Sequence, residues 1–481
     1  MTITLAQLMG GQRADGAVEI AGLTVDSRKV QAGDLFVALP GTKLDGRKFI
    51  DAAVKAGAAA VLTTPGTEVS APVPVVEDRN PRRRYADLAS RFYTDQPQIQ
   101  VAVTGTNGKT SVADFTRQLW QSIGCEAASL GTLGVRSRVL EQPGGLTTPD
   151  PMVLHGALDA LAKAGVNHVA IEASSHGLDQ YRLDGVRFRA AAFTNLTRDH
   201  LDYHKSEQGY FYAKARLFGE LVGPGDAAVI NSDSSWGAVL DDIAWARGLE
   251  KLTVGRGKDA ALRLVNQRAE ATGQHVAFVF EGRTYEAALP LMGGFQAENA
   301  LLAAGLVIAT GGDVDGCFAA LGALEGVPGR MELVGVSARG GAVFVDYAHT
   351  PDGLSTVLQA ARAHSPNKLH LVFGCGGDRD KGKRPQMGAI AARYADEIYV
   401  TDDNPRSETA STIRSEILAT ASSARDIDDR RSAIEEAISN LRAGDMLVVA
   451  GKGHEEGQIV GEDILPFSDI ETVKTILADG G

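Results

Sequence analysis

The chain has 481 residues, 44% of them hydrophobic and 22% charged, with a formal net charge of −12. That length exceeds one ordinary hydrophobic core and predicts about three domains of a soluble globular protein. The acidic balance excludes a general nucleic-acid-binding surface, and three scattered cysteines, Cys125, Cys317 and Cys375, exclude a disulfide framework or a thiolate zinc site and fit a reducing cytosol. The first residues lack a basic segment and a long apolar core, and no run is long enough to span a bilayer, so neither a signal peptide nor a membrane span is expected.

A first unit covers residues 1–92. Asp34 to Leu39 reads as a strand, Arg47 to Ala56 as an amphipathic helix and Ala58 to Thr64 as another strand. The polar stretch Tyr93 to Pro97 reads as a linker. A second unit, 93–328, opens on the β-branched run at Val101, which ends in Gly105-Thr106-Asn107-Gly108-Lys109-Thr110-Ser111 and continues as a helix from Val112 to Ile123. This is the layout of a nucleotide phosphate cradle. Gly105 and Gly108 let backbone N–H groups turn inward, and the helix N-terminus adds partial positive charge. Lys109 can reach the outer phosphates, while Thr110 or Ser111 can hold Mg²⁺. Where the common loop begins with Gly, this chain has Val103, so the loop is shorter and points to nucleotide binding outside the usual P-loop enzymes.

Further runs alternate with polar turns. His168 to Glu172 leads into Ser174, Ser175 and His176; Ala190 to Thr194 leads into Asp199 and His200; Ala227 to Ile230 leads into Asn231 and Asp233. A third unit, 329–481, repeats the pattern with Val343 to Asp346, Leu369 to Phe373, Glu397 to Thr401 and Met446 to Ala450, joined by helices such as Arg384 to Tyr394 and Ala433 to Leu441. Strand, polar turn and helix in repetition predict an α/β protein with mostly parallel sheets. Ligands in such sheets bind outside the carboxyl ends of the strands.

Several side chains on those turns carry chemistry. A carboxylate at Glu172 suits Mg²⁺, although a helix cap or a surface Glu reads equally from the residues alone. His200 and His204 stand four apart, a metal-compatible spacing, but the residues between them omit the zincin Glu, which leaves at most one metal contact. Lys214 lies in an aromatic-rich helix, where a lysine ordinarily snorkels; burial would lower its pKa and make the amine reactive. Asp378 to Arg384 is a dense charge run after a Gly-rich strand exit, either solvated or anion-binding. Asp403-Asn404-Pro405-Arg406 joins an amide, a turn-fixing Pro and a guanidinium able to clamp a carboxylate, or forms a simple turn.

Over almost its full length the chain resembles the Mur ligases, ATP-dependent amide-forming enzymes of bacterial cell-wall precursor synthesis. The short loop Thr104 to Thr110, Glu172, Asn299, Arg330 and the stretch Asp346 to His349 match that superfamily. Val25-Asp-Ser-Arg28 and Gly33-Asp-Leu-Phe36 look like the branch that adds the third residue of the stem peptide. The turn from Asp403 to Arg406 looks like the signature for meso-diaminopimelate rather than lysine.

The resemblance implies three domains: an N-terminal UDP-substrate domain, a central P-loop ATPase-like domain with a mostly parallel sheet, and a C-terminal Rossmann-like domain. It implies ATP and Mg²⁺ as cofactors, with catalytic roles for Lys109, Glu172, His200 and Lys214. ATP would meet Gly105 to Ser111, Asn299, Arg330, Asp346 and His349. The metal would meet Thr110, Glu172, His200 and Lys214, the last as its N6-carboxy (carbamate) form. The UDP-sugar peptide would meet Val25, Ser27, Thr42, Lys43, Leu44, Leu146, Thr147, Thr148, Ser174, Gln180 and Arg182. Diaminopimelate would meet Arg379, Asp403, Asn404, Pro405, Arg406, Gly451 and Glu455. The substrates are then UDP-MurNAc-L-Ala-D-Glu and meso-diaminopimelate, and the protein is a cytoplasmic monomer. Folylpolyglutamate synthase shares the loop and reaction type but should lack the two signature turns. A lysine-adding relative differs mainly at Asp403 to Arg406, and a non-catalytic ATP-gated regulator is the reading from another class.

Overall fold

A computed structural model describes residues 2–11, 15–41, 44–70, 72–270 and 273–480. In the N-terminal part four strands lie parallel in chain order: β1 (Gly22–Thr24), β2 (Asp34–Val37), β3 (Ala60–Thr63) and β4 (Val75–Glu77). The helix expected from Arg47 begins as a 3₁₀ turn, Gly46–Phe49, because the Asp45 side chain accepts from the Arg47 amide. It becomes α1 only over Ile50–Lys55. The sequence reading omitted α2 (Pro81–Phe92), although its signals are present. Asn80 caps the Arg83 amide, Pro81 occupies the first turn, and Tyr85, Leu88 and Phe92 fall on one buried face.

The central part is built on ten strands. In chain order its elements are β5 (Ile99–Thr104), α3 (Lys109–Ser122), β6 (Ala127–Gly131), β7 (Gly134–Ser137), α4 (Pro151–Lys163), β8 (His168–Glu172), α5 (Ser175–Asp179), β9 (Ala190–Phe193), α6 (Leu201–His204), α7 (Glu207–Arg216), β10 (Ala227–Asn231), α8 (Gly237–Arg247), β11 (Glu250–Gly255), β12 (Leu262–Glu270), β13 (Gly273–Phe280), β14 (Arg283–Leu289) and α9 (Phe295–Ala309). The spatial order is β14-β13-β12-β11-β10-β9-β5-β8-β6-β7. The strands from β6 to β12 run parallel, and antiparallel strands close both edges. Alternation along β5 splits the core. Val101 and Val103 pack with α3 and α9 on one face, while Ala102 joins Leu154, Phe193 and Phe211 on the other.

The C-terminal part comprises β15 (Glu332–Val336), β16 (Ala342–Asp346), α10 (Pro351–His364), β17 (Leu369–Phe373), α11 (Lys383–Tyr394), β18 (Glu397–Val400), α12 (Ala410–Leu418), β19 (Arg425–Asp426), α13 (Arg430–Ser439), β20 (Met446–Ala450), the hairpin β21 (Gly457–Val460) and β22 (Asp463–Pro466), and α14 (Asp469–Ala478). Its sheet order is β15-β16-β20-β17-β18-β19, parallel except at β15. The expected α/β architecture with a large, mostly parallel central sheet is therefore present. The carboxyl ends of β5, β8 and β9 and those of β16, β17 and β20 open on adjoining cavities. Side chains tie the parts together there: Asn107 Nδ2 donates to Asp352 at 3.2 Å, and Arg330 Nη2 donates to Thr110 Oγ1 at 3.2 Å.

Candidate active site

The turn between β5 and α3 has the shape its glycines predict. Gly105 and Gly108 adopt φ of 149° and 86°. A Cβ at Gly105 would collide with Thr194 Oγ1, and one at Gly108 would lie 2.6 Å from Asn299 Oδ1. The loop is braced from β9: Thr194 Oγ1 donates to the Asn107 carbonyl at 2.6 Å, and the Asn107 amide donates to Asn195 Oδ1 at 3.0 Å. Lys109 folds back on the loop, its Nζ donating to the carbonyls of Gly105 at 2.9 Å and Thr106 at 2.8 Å. Burial holds its amine below the ordinary range.

Glu172, at the end of β8, is 2% exposed. It accepts from Thr110 Oγ1 at 2.9 Å, from the Thr132 amide at 2.8 Å and from Thr132 Oγ1 at 3.2 Å. No cationic side chain pairs with it within salt-bridge distance among the described residues. A buried carboxylate among hydroxyls and without an ion-pair partner is a hard-oxygen donor set of the kind Mg²⁺ takes. The helix-cap and surface readings of Glu172 do not apply.

Lys214 does not snorkel. It is 1% exposed, its Nζ donates to the Gly105 carbonyl at 2.7 Å, and it lies 4.4 Å from the Tyr210 ring centroid. Burial, reinforced by the neighbouring Lys109, pushes its pKa well below the ordinary lysine value. His200 starts α6 in the left-handed region, at φ 53°. Burial pushes its pKa down to about 4, with Asp199 opposing. His200 and His204 both pack against the His176 ring, with centroids at 4.7 and 5.4 Å.

Three cavities collect most of the expected residues. A cleft of about 300 Å³ is lined by Thr106 to Ser111, Thr132, Thr147, Glu172, His200, Asn299, Arg330, Asp346 and His349. The Arg330 guanidinium lies 4.4 Å from the Tyr347 ring centroid. Asp346 is committed to the backbone, accepting from the amides of Met331 and Ala348, both at 2.7 Å.

A neighbouring cavity of about 410 Å³ shares His200 and His349 and adds Arg198, Arg379, Asp403, Asn404, Arg406, Gly451 and Glu455. Arg406 has φ 52°, and its Nη1 donates to the Gly377 carbonyl at 2.8 Å. Within the charge run 378–384, Arg384 is fully buried and binds Glu408 and Glu416, so it serves the core rather than an anion. Arg379 is the residue of that run that faces the cavity with a guanidinium.

A third cavity, about 190 Å³, is lined by Val25, Leu146, Gln180 and Arg182 together with Arg82, Tyr85 and Asp150. Arg182 donates to the Thr148 carbonyl and to Gln180 Oε1, both at 2.7 Å. The hydroxyls of Thr148 and Ser174 serve the chain itself: Thr148 donates to the Glu172 carbonyl at 2.8 Å, and Ser174 caps α5 through the Gly177 amide at 3.0 Å. Ser27 and Leu44 lie outside the lining of this cavity, and Thr42 and Lys43 lie outside the described residues.

Sequence reading missed Thr132, Thr194, Asn195, Asp199 and Tyr210. Thr194 and Asp199 sat on a recognised strand exit. Thr132 is fixed by the close approach of Glu172 to Gly131, where a Cβ would collide with the carboxylate.

The Mur ligase middle domain is matched by residues 103–307, the Mur ligase glutamate ligase domain by 329–453, and the Mur ligase family catalytic domain by 19–93. The chain is 53% identical to the UDP-N-acetylmuramoyl-L-alanyl-D-glutamate–2,6-diaminopimelate ligase of Bradyrhizobium diazoefficiens, over 97% of this chain and 96% of that one. It is 51% identical to the protein of the same name from Caulobacter vibrioides, over 99% of each. A solved structure of a ligase of that name superposes with a TM-score of 0.72 at 32% identity, covering 100% of this chain and 99% of the other. Fold, phosphate loop and cleft define an ATP-dependent amide ligase. The chain belongs to the Mur ligase family. No helix among the described residues is long and apolar enough to cross a membrane.

Proposed function

We propose that the protein joins meso-diaminopimelate to UDP-N-acetylmuramoyl-L-alanyl-D-glutamate at the expense of ATP, in the cytoplasm and as a monomer. The observation that carries this reading is the adjacency of the phosphate-loop cleft and the cavity holding Arg379, Asp403, Arg406 and Glu455, which share His200 and His349. Identity of about half to ligases of that name supports it. The match over 19–93 favours it over a folylpolyglutamate synthase. Units 1–92, 93–328 and 329–481 would then divide the work among the UDP-peptide, ATP and the amino acid.

A carboxylate is a poor electrophile. Its oxygen attacks the γ-phosphorus of ATP, the bond to ADP breaks, and the resulting acyl phosphate carries a leaving group. The diaminopimelate amine attacks the acyl carbon, and the tetrahedral intermediate releases phosphate and a proton to give the amide. Two anions must first meet, and Lys109 and Arg330 are the lysine and arginine that line the cleft. Lys109 would exchange the Gly105 and Thr106 carbonyls for phosphate oxygens, and Arg330 would hold the nucleotide phosphates from the C-terminal side. The donor set of Glu172, Thr110, His200 and carbamylated Lys214 would hold Mg²⁺, which when bound offsets the charge of the phosphates. The lowered pKa of the Lys214 amine fits that modification, since addition of CO₂ and loss of one proton turns the free amine into an oxygen donor. Arg379 and Arg406 would grip the distal carboxylate of diaminopimelate, and Asp403 and Glu455 its ammonium.

Phosphate release tests the reading. It should require ATP, the muramoyl dipeptide and diaminopimelate together. Nucleotide binding without release in that mixture would leave the regulator reading standing instead.

A further inference from the structure

Lys452 follows the exit of β20 and has a fully buried side chain. Its Nζ donates to Asn404 Oδ1 at 3.0 Å and to the Gly457 carbonyl at 2.7 Å. It also lies 3.6 Å from Asp403 Oδ1 and 3.8 Å from Glu455 Oε2. Asp403 is 7% exposed, and its Oδ1 accepts no hydrogen bond among the described residues. Glu455 receives Asn404 Nδ2 at 3.2 Å, and its pKa is raised by burial and by Asp403. The other buried cation nearby, Arg430, is already matched: it donates to both Asp469 oxygens at 2.7 Å.

Two partly buried carboxylates this close to one ammonium would repel each other without it, and one would be driven to its neutral, hydrogen-donating form. With Lys452 charged, the three groups together carry one net negative charge. The same ammonium orders the turn, since Asn404 Oδ1 also accepts from the Ile459 amide at 2.9 Å and its Nδ2 orients Glu455.

We propose that Lys452 is a positioning residue that sets the charge of this end of the amino-acid cavity. It cancels one of two acids, so that the remaining negative charge matches a single substrate ammonium. The inference rests on the reading that an amino acid with a second charged centre binds here. It extends that reading to a lysine that contacts the acids and lies behind them.

Wild-type turnover with meso-diaminopimelate is measured first, and its absence would sink the functional reading rather than the role of Lys452. Lys452→Gln keeps N–H donors but no charge. It should raise KM for diaminopimelate roughly tenfold while KM for ATP stays within about twofold. In a double-mutant cycle with Glu455→Gln, the two KM increases should fall short of their product by roughly tenfold, because Asp403 with no second acid beside it stays ionised without Lys452. A product of the two single effects, or a parallel rise in KM for ATP, would mean that Lys452 only supports the fold and would overturn the proposal.

A second measurement leaves Lys452 in place. Glu455→Gln makes this end neutral, so the preference for diaminopimelate over its analogue lacking the distal amine should fall by at least roughly tenfold. An unchanged preference would show that Lys452 does not cancel Asp403, and would overturn the proposal even if Lys452 variants fail to fold.

Discussion

Lys109 and Lys214 share one acceptor. The Gly105 carbonyl oxygen receives Nζ of Lys109 at 2.9 Å and Nζ of Lys214 at 2.7 Å. Two buried ammonium groups on one carbonyl oppose each other, and burial lowers the pKa of both; Lys214 also lies against the Tyr210 ring. Of the two, Lys214 is pushed well below the ordinary value, while Lys109 lines the cleft. The short phosphate loop brings them together, because Gly105 has no side chain and Thr194 occupies the space a Cβ would need.

Replacing Lys214 should accordingly abolish turnover and spare the fold. Lys214→Met, which preserves bulk, and Lys214→Ala should each lose roughly a hundredfold or more in kcat with ADP affinity nearly unchanged. Depleting bicarbonate should slow the wild type, and adding it back should restore the wild type but neither variant. Normal turnover by Lys214→Ala would remove the carbamate from the account.

The phosphate cradle predicts a purely local lesion. Gly108→Ala places a methyl 2.6 Å from Asn299 Oδ1 at a backbone φ of 86°. Titration calorimetry should find ADP binding lost, with a melting midpoint lowered by only a few degrees, since a left-handed Ala costs roughly 1–3 kcal/mol.

Arg406→Ala removes a charge-assisted fork worth about 2–3 kcal/mol. Diaminopimelate KM should rise roughly 30- to 150-fold, while KM for ATP stays within about twofold. Equal losses for both ligands would point to collapse of the turn that Arg406 joins to β21 through the Ile459 carbonyl at 3.1 Å.

His155 gives the stability of the central part a pH dependence. Its ring is fully buried, Nε2 lies 3.1 Å from the Asp184 carbonyl, and burial lowers its pKa from 6.5 to about 4. The unfolded chain therefore binds more protons between those values. Stability from this group is fully present above pH 6.5 and is lost as pH falls towards about 4. The loss should reach about 2 kcal/mol at pH 5. Urea melts at pH 7.5 and pH 5 should show a smaller difference for His155→Gln than for the wild type.

Asp469→Asn leaves the buried Arg430 uncompensated and should cost about 3–5 kcal/mol. Arg430→Met with Asp469→Leu should recover most of that in urea unfolding, because no buried charge is then left alone.

Much of the architecture was legible because parallel strands buried on both faces read as apolar runs that end in functional turns. Val101, Ala190 and Met446 each lie in such a run. The hairpin β13–β14 went unread although Glu281-Gly282 adopts φ of 48° and 76°, a two-residue turn that its flanking alternation announced. Site residues on strand exits were found. Those fixed only by distant neighbours were not: Thr132 depends on Glu172, and Lys452 depends on Asp403 and Asn404. Lys214 was legible as a position, but its burial, which decides its chemistry, comes from the loop more than 100 residues earlier.

The most direct test compares phosphate release with meso-diaminopimelate and with L-lysine, in the presence of ATP, Mg²⁺ and UDP-N-acetylmuramoyl-L-alanyl-D-glutamate. The account predicts sustained release with diaminopimelate and a kcat/KM at least roughly a hundredfold lower with lysine, because lysine leaves Arg379 and Arg406 without a carboxylate. Equal turnover of the two amino acids, or a preference for lysine, would contradict it.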